Sequence, residues 1–291
     1  MILKYLEKNK NITDFSGFKT QAKSKFFFNF NTLEDLDKLR KIFKFINNNK
    51  KKYLIIWWWT NLFFAFDTFD GVVIKNNFKW YHFNKNILDI STNETISDIA
   101  KILEKKHKNT IWHRFIWLPW SIWWAVFGNA WCFWLEIQNN FVSCRALNIH
   151  TWEIKNFNKK DICFRYRDSI FKKTWKYFII DVKFDLSFKS EKYAQTTNNI
   201  DFRKYKQPEG LSCGSFFKNP KWYSAWKLIE NVWLKWYKIW WAFFSPKHCN
   251  FLMSDGTATY QDLISLKDLA ISRIKEKYDI ILDSEVRIIY K

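Results

Sequence analysis

The chain has 291 residues, a formal net charge of +20, 19 Trp and only 6 Gly. That length supports two or three domains with cores of their own and excludes a small module held together by disulfides or a metal. The lysines are scattered rather than gathered into a stripe, so a solvated basic surface is expected instead of a nucleic-acid face, and its positive potential suits phosphate-bearing ligands.

Residues 1–10 carry Lys4, Glu7 and Lys8 and lack the apolar core of a secretory leader. Residues 26–30 read as a short aromatic strand. Residues 32–47 read as an amphipathic helix opened by Thr32, with Glu34 and Asp35 in its first turn. A buried strand over 53–56 then delivers the chain into WWWTNL at 57–62. A second helix is predicted over 91–106, capped by Ser91 or Thr95, with Ile96, Ile99, Ile102 and Leu103 on its apolar face.

Residues 115–135 contain no charge and are long enough to cross a bilayer on hydropathy alone. Membrane spans keep Trp at their two interfaces, whereas here Trp117, Trp120, Trp123, Trp124, Trp131 and Trp134 surround Pro119 and Asn129. A loop is therefore expected, and no membrane span. Strands follow over 141–149, 154–157 and 177–184, then helices over 224–231 and 260–277 and a last strand over 280–289. The longer helix uses Leu263, Leu266, Leu269, Ala270 and Ile274 for its buried face. Cys132, Cys144, Cys163, Cys213 and Cys249 are odd in number and include no C-x-x-C pair, which fits a reducing cytosol.

Glycine alone supplies roughly 7% of an ordinary globular chain, a share this sequence reaches only when its 6 Gly and 19 Trp are taken together. Reading Trp as Gly turns residues 57–62 into GGGTNL and residues 117–134 into GLPGSIGGAVFGNAGCFG. The expectation is that the organism of origin reads UGA as glycine, and that the same codons are rendered here as tryptophan. The alternative is a chain truly rich in Trp, stacking its aromatics on carbohydrate or single-stranded nucleic acid.

With glycine at those places, G-G-G-T-N-L, D-G-V-V-I, G-L-P-G-S-I-G-G-A and G-N-A-G follow in order. They are joined by YRDSIFK at 166–172, GSFFKNP at 214–220, KLIENVWLKWYKIWWAFFSPKHCNF at 227–251 and SEVRII at 284–289. This set resembles the UDP-N-acetylenolpyruvoylglucosamine reductase (MurB) family over nearly the whole chain, in its short form. Fourteen tryptophans fall on motif glycines: 57, 58, 59, 117, 120, 123, 124, 131, 134, 226, 233, 236, 240 and 241. Trp80, Trp112, Trp152, Trp175 and Trp222 lie outside the motifs and are left unassigned.

The resemblance implies an α+β fold. A two-part FAD-binding domain of the PCMH and MurB type would occupy 1–83 and 84–205, followed by an α+β substrate domain over 206–291. FAD would be held by Trp57, Trp58, Trp59, Thr60 and Asn61 in the first loop. The second loop would contribute Trp117, Pro119, Trp120, Ser121, Trp123, Trp124, Asn129 and Ala130. Glycine suits such loops because no Cβ blocks the main-chain amides from a pyrophosphate.

By the same resemblance, NADPH would reduce the flavin, and the enolpyruvyl group of a UDP-sugar would be reduced in peptidoglycan precursor synthesis, serving cell-wall formation, cell shape and division. Ser215 would donate the proton, Arg167 would grip the substrate carboxylate, and Glu285 would stabilise the enol intermediate. Tyr166, Lys218 and Asn219 would neighbour the substrate. A cytoplasmic monomer without a nucleic-acid partner is expected; another flavoenzyme of the same superfamily, or a basic aromatic binder of nucleic acid or membrane surface, is the alternative. His113 and His248 have no metal-ligand spacing and are read as structural.

Overall fold

The structure is a computed structural model and describes residues 2–56, 61–118, 120–132, 134–187 and 208–291. The chain opens with β1 (Glu7–Asn11), β2 (Lys23–Phe30), α1 (Leu36–Asn48), β3 (Lys52–Ile56), β4 (Leu62–Ala65) and β5 (Thr68–Asn76). Strands β1, β2, β5 and β3 form a four-stranded sheet in that order. A 3-10 turn over Leu33–Asp35 leads into α1. Its Thr32 side chain accepts from the third backbone amide, and Asp35 reaches back to the Thr32 amide. Leu39, Ile42, Phe43 and Ile46 form the buried stripe of α1, each contributing about 1.5–3 kcal/mol by leaving water.

Next come β6 (Tyr81–Asn84), β7 (Ile87–Ser91), α2 (Ile96–His107), α3 (Ile122–Phe127), β8 (Trp131–Cys132), β9 (Leu135–Glu136) and α4 (Ile137–Asn140). They are followed by β10 (Phe141–Asn148), β11 (Ile154–Asn158), α5 (Lys159–Ile162), α6 (Ile170–Thr174) and β12 (Tyr177–Asp185). The N-cap position of α2 is Thr95, whose side chain makes no cap hydrogen bond, rather than Ser91, which ends β7 opposite Asp181. A five-stranded sheet runs β11-β10-β12-β7-β6, with every pairing antiparallel. In it Arg145 lies directly opposite Asp181 and sends Nε to both carboxylate oxygens at 3.0 Å.

The C-terminal part holds α7 (Ala225–Asn231), β13 (Lys238–Ile239), β14 (Ala242–Phe244), β15 (Leu252–Ser254), α8 (Tyr260–Tyr278) and β16 (Arg287–Tyr290). Strands β13, β14 and β15 form an antiparallel sheet, and β16 pairs in parallel with β4 from Arg287–Leu62 to Tyr290–Ala65. The strand expected over 280–289 is shorter than the sequence suggests. Helix α8 ends in a left-handed Asp279 at φ 59°, Leu282 turns into the core, and regular pairing begins only at Arg287.

Packing divides the chain into two compact units. One comprises Met1–Glu7, Phe27–Trp58 and Val72–Asp201; the other comprises Lys8–Phe26, Trp59–Gly71 and Phe202–Lys291. Phe18, Phe63, Phe216, Phe244, Leu263 and Ile274 belong to the core of the second unit. Among the described residues no helix is long and apolar enough to cross a membrane.

Candidate active site

In the second unit the segment around Ser215 is held in register from two sides. On one side Ser215 bridges Phe251, and the Phe216 amide donates to the Asn250 carbonyl at 2.7 Å. The Asn250 side chain accepts from the Phe217 amide at 2.9 Å and donates to the Phe217 carbonyl at 2.8 Å. On the other side Phe217 bridges Ser284, the Glu285 amide donates to the Phe216 carbonyl at 2.8 Å, and the Lys218 amide donates to the Asp283 carbonyl at 2.9 Å. Ser215 and Glu285 are therefore registered on adjoining stretches of backbone, and both are half-buried.

The loop leading to Ser215 depends on close main-chain approach. A Cβ on Gly17 would lie 2.2 Å from the Ser212 carbonyl oxygen, so only glycine fits there, and Gly214 sits at φ 81°. Cys213 Sγ lies 3.2 Å from the Leu62 carbonyl, and burial pushes its thiol up to about 12. Gly17 and Asn250 are the residues that sequence reading passes over as functional. Gly17 stands in no motif, and Asn250, although inside K-H-C-N-F, shows its role only through its partner.

Asn61, the one residue of the first loop's assigned set that is described, donates from Nδ2 to the Glu285 carbonyl at 3.1 Å. Its own carbonyl accepts from the Arg287 amide at 2.9 Å, and its buried Oδ1 has no hydrogen-bond partner among the described residues. Trp57, Trp58, Trp59, Thr60 and Pro119 lie outside the described residues. Lys218 Nζ lies 3.9 Å from Asp283, and Asn219 Oδ1 accepts the Ala225 amide at 2.9 Å, which caps α7.

In the first unit Tyr166 and Arg167 form the tip of a two-residue turn closed by Arg165 and Asp168, which exchange backbone hydrogen bonds of 3.0 and 3.1 Å. Arg167 is left-handed at φ 54°, and its guanidinium lies 5.1 Å from the Trp120 ring centroid and 5.9 Å from that of Tyr166. Two hydrogen bonds tie this turn to the second loop. The Ser169 hydroxyl donates to the Phe127 carbonyl at 2.7 Å, and Asn129 Nδ2 donates to the Arg165 carbonyl at 3.1 Å.

In the second loop several polar groups are paired within the unit, whereas the buried Trp124 Nε1 has no hydrogen-bond partner among the described residues. Asn129 is spent on Glu136, Arg165 and Gln138, and the Ala130 amide donates to Ala125 at 2.8 Å. Ser121 caps α3 by accepting the Trp124 amide at 3.4 Å. The amides of Ile122 and Trp123 go to Glu94 and Thr92 at 2.8 and 2.9 Å. Trp123 is buried and stacked on Phe127 at 4.2 Å, whereas Trp117 is exposed. His113 pairs with Glu104 at 2.9 Å, and burial lowers the pKa of His248. Among the described residues no group of His, Cys, Asp and Glu is placed to hold a metal.

Asn61 Oδ1 is an acceptor of the kind a cofactor would satisfy. The tryptophans as written do not fit a flavin held by bare main chain, because Trp120 lays its indole across Arg167 and Trp117 and Trp124 add bulk where the motif has none.

The family model for the C-terminal domain of UDP-N-acetylenolpyruvoylglucosamine reductase matches residues 206–289. The chain is 33% identical over 261 residues to the UDP-N-acetylenolpyruvoylglucosamine reductase of Lactobacillus acidophilus, covering 88% of this chain and 86% of that protein. The chain belongs to the UDP-N-acetylenolpyruvoylglucosamine reductase family. Its similarity to the relative of Lachnoclostridium phytofermentans is 36% identity over 181 residues and spans little more than half of that protein, 56% of its length. The crystal structure of UDP-N-acetylenolpyruvylglucosamine reductase (MurB) from Thermus caldophilus shares the fold, with a TM-score of 0.77 at 18% identity over 97% of this chain and 98% of that one. The match to that structure spans both units, and the α+β architecture agrees with the family's fold.

Proposed function

We propose that the chain, carrying glycine at the fourteen motif positions, reduces the enolpyruvyl double bond of UDP-N-acetylglucosamine enolpyruvate to give UDP-N-acetylmuramate. The observation that carries this reading is family membership together with Arg167, Ser215 and Glu285 standing in their three motifs in family order. A flavin in the glycine loops would supply the hydride and be reloaded by NADPH, since no side chain can donate one.

The chain's own residues have three tasks. Arg167 offers a planar fork to the substrate carboxylate, and its placement on a tight turn between two aromatic rings limits its freedom before binding. Negative charge develops next to that carboxylate when hydride adds to the terminal carbon, and Glu285 stabilises the resulting enol. Ser215 then delivers a proton to the adjacent carbon, completing the reduction. A hydroxyl is a weak acid, so it serves here only because the acceptor carbon is strongly basic. Lys218 and Tyr166 flank the UDP-sugar, with a cytoplasmic location and a single copy sufficient for turnover.

The deciding experiment is NADPH oxidation that depends on the enolpyruvyl UDP-sugar, measured on the chain with glycine at the motif positions. Ser215→Ala is expected to retain NADPH-dependent bleaching of the flavin absorbance and to lose sugar reduction. Equal loss of both, or full retention of both, would remove Ser215 from the role.

A further inference from the structure

We infer that the polypeptide made in the cell also carries glycine at Trp152, Trp175 and Trp222, three positions that no motif assigns. The inference rests on main-chain conformation and is independent of the proposed activity. Eight of the sixteen described tryptophans have positive φ: 117, 134, 152, 175, 222, 233, 236 and 240, with values from 50° to 70°. Only a few per cent of non-glycine residues adopt this region, and a bulky side chain is among the least suited to it.

Five of the eight fall on motif glycines, and their surroundings are the ones that demand glycine. Trp117 is the third residue of a turn closed by the Leu118 amide on the Phe115 carbonyl at 2.9 Å, following Ile116 at φ −58° and ψ 135°, which is type II geometry. Trp233 occupies the residue after the cap of α7. Its amide bonds to Glu230 at 3.0 Å and the next amide, of Leu234, to Ile229 at 3.2 Å, the two bonds of a Schellman motif. Trp236 is third in a turn closed by Tyr237 on Leu234 at 3.0 Å, and Trp240 begins the two-residue loop between β13 and β14. Trp134 stands at φ 70° in the short connection of β8 to β9.

The three unassigned positions repeat these geometries. Trp175 is the left-handed residue that ends α6, at φ 52° and ψ 22°, with its amide on the Phe171 carbonyl at 3.0 Å. Trp222, at φ 69°, is third in the turn closed by Tyr223 on Pro220 at 3.0 Å, and its side chain is 88% exposed. Trp152, at φ 62°, closes the loop joining β10 to β11 with its amide on Asn148 at 2.8 Å, and its buried Nε1 has no hydrogen-bond partner among the described residues. The indoles make ring contacts here, with Lys44 over Trp152 at 5.6 Å, Lys221 over Trp222 at 5.4 Å and Phe127 4.4 Å from Trp175, but each backbone sits in the left-handed region that glycine enters without a Cβ penalty. Trp80 and Trp112 have no positive φ and are not assigned by this criterion.

Mass spectrometry of peptides from the protein isolated from its native organism tests the assignment directly. Glycine at 152, 175 and 222 is expected, encoded by UGA in the gene; tryptophan at any of the three, or a UGG codon there, overturns it. A second measurement uses the full-length chain with glycine at the motif positions. Trp→Gly at 152, 175 and 222 together should raise the melting temperature above that of the matching Trp→Ala variant, because alanine loses the indole without gaining the left-handed region. Equal melting temperatures for the two variants would also overturn the assignment.

Discussion

The side-chain amide of Asn250 makes both hydrogen bonds of a β-bridge with the main chain of Phe217, accepting from its N–H at 2.9 Å and donating to its C=O at 2.8 Å. A side chain thus does the work of a neighbouring strand two residues beyond Ser215, where the segment is also bonded to Glu285 through Phe216.

Asn250→Ala would leave both Phe217 groups buried and unpaired, at about 1–3 kcal/mol for each group. The midpoint of urea unfolding should fall with the slope unchanged. Asn250→Asp keeps the acceptor but sets a carboxylate oxygen against the buried Phe217 carbonyl, and should fall at least as far. Because the register of Ser215 against Glu285 loosens, kcat should drop more than KM rises. A variant with wild-type stability would show that the clamp is dispensable.

Gly17→Ala should unseat the loop before Ser215. The added methyl meets the Ser212 carbonyl oxygen at 2.2 Å and its carbon at 2.9 Å, both main-chain atoms that cannot rotate away. Overpacking of this kind costs typically about 1–3 kcal/mol. Cys213, half-buried and with its pKa pushed up to about 12 by desolvation, should react slowly with a thiol reagent at mildly alkaline pH in the parent chain and faster in the variant. Exposed Cys163 reacts in both and serves as the internal standard. An unchanged labelling pattern with unchanged stability would count against the close contact.

The elements that carry this site were legible wherever periodicity or capping chemistry was strong. Thr32 with Asp35, the apolar stripe of α1, the buried Leu263, Leu266, Ala270 and Ile274 of α8, and the runs that became β10, β11 and β12 all appear near their expected places. The end of the chain was less legible because β16 is defined by a parallel partner, β4, more than 200 residues away, and not by its own pattern. The site residues were legible as motifs, but not the hydrogen bonds between motifs, such as Asn61 to Glu285 or Asn129 to Arg165. Those contacts depend on tertiary register, for which no local spacing carries a signal.

His248 should give the protein an acid-sensitive step. Burial holds its pKa below the ordinary value of 6.5, and its Nδ1 accepts the Asn250 amide at 3.3 Å, an interaction available only to the unprotonated nitrogen. With a folded pKa lower than the unfolded one, the unfolded chain binds more protons in between. The stability contribution is therefore complete above about pH 6.5 and is lost as pH falls through the folded value. Unfolding free energies measured from pH 7.5 to 5 should decline, and His248→Asn should flatten that decline. An identical slope in parent and variant would assign the acid sensitivity to other groups.

Asn129 joins G-N-A-G to Y-R-D-S and should be felt at Arg167 without touching it. It is buried and left-handed at φ 43°, donates from Nδ2 to Glu136 at 2.9 Å and to the Arg165 carbonyl at 3.1 Å, and accepts the Gln138 amide at 3.3 Å. Asn129→Gly keeps the backbone conformation and loses only the side-chain bonds. Asn129→Ala adds roughly 1–2 kcal/mol for the left-handed region. Asn129→Asp sets a second carboxylate against Glu136 with no N–H left for Arg165, and should be the worst of the three. Thermal stability should therefore fall in the order Gly, Ala, Asp. KM for the UDP-sugar should rise in the same order, since the turn carrying Arg167 loses its tether while Ser215 and Glu285 keep theirs. A KM unmoved by Asn129→Gly, with stability reduced, would mean that the Ser169–Phe127 hydrogen bond alone positions the arginine.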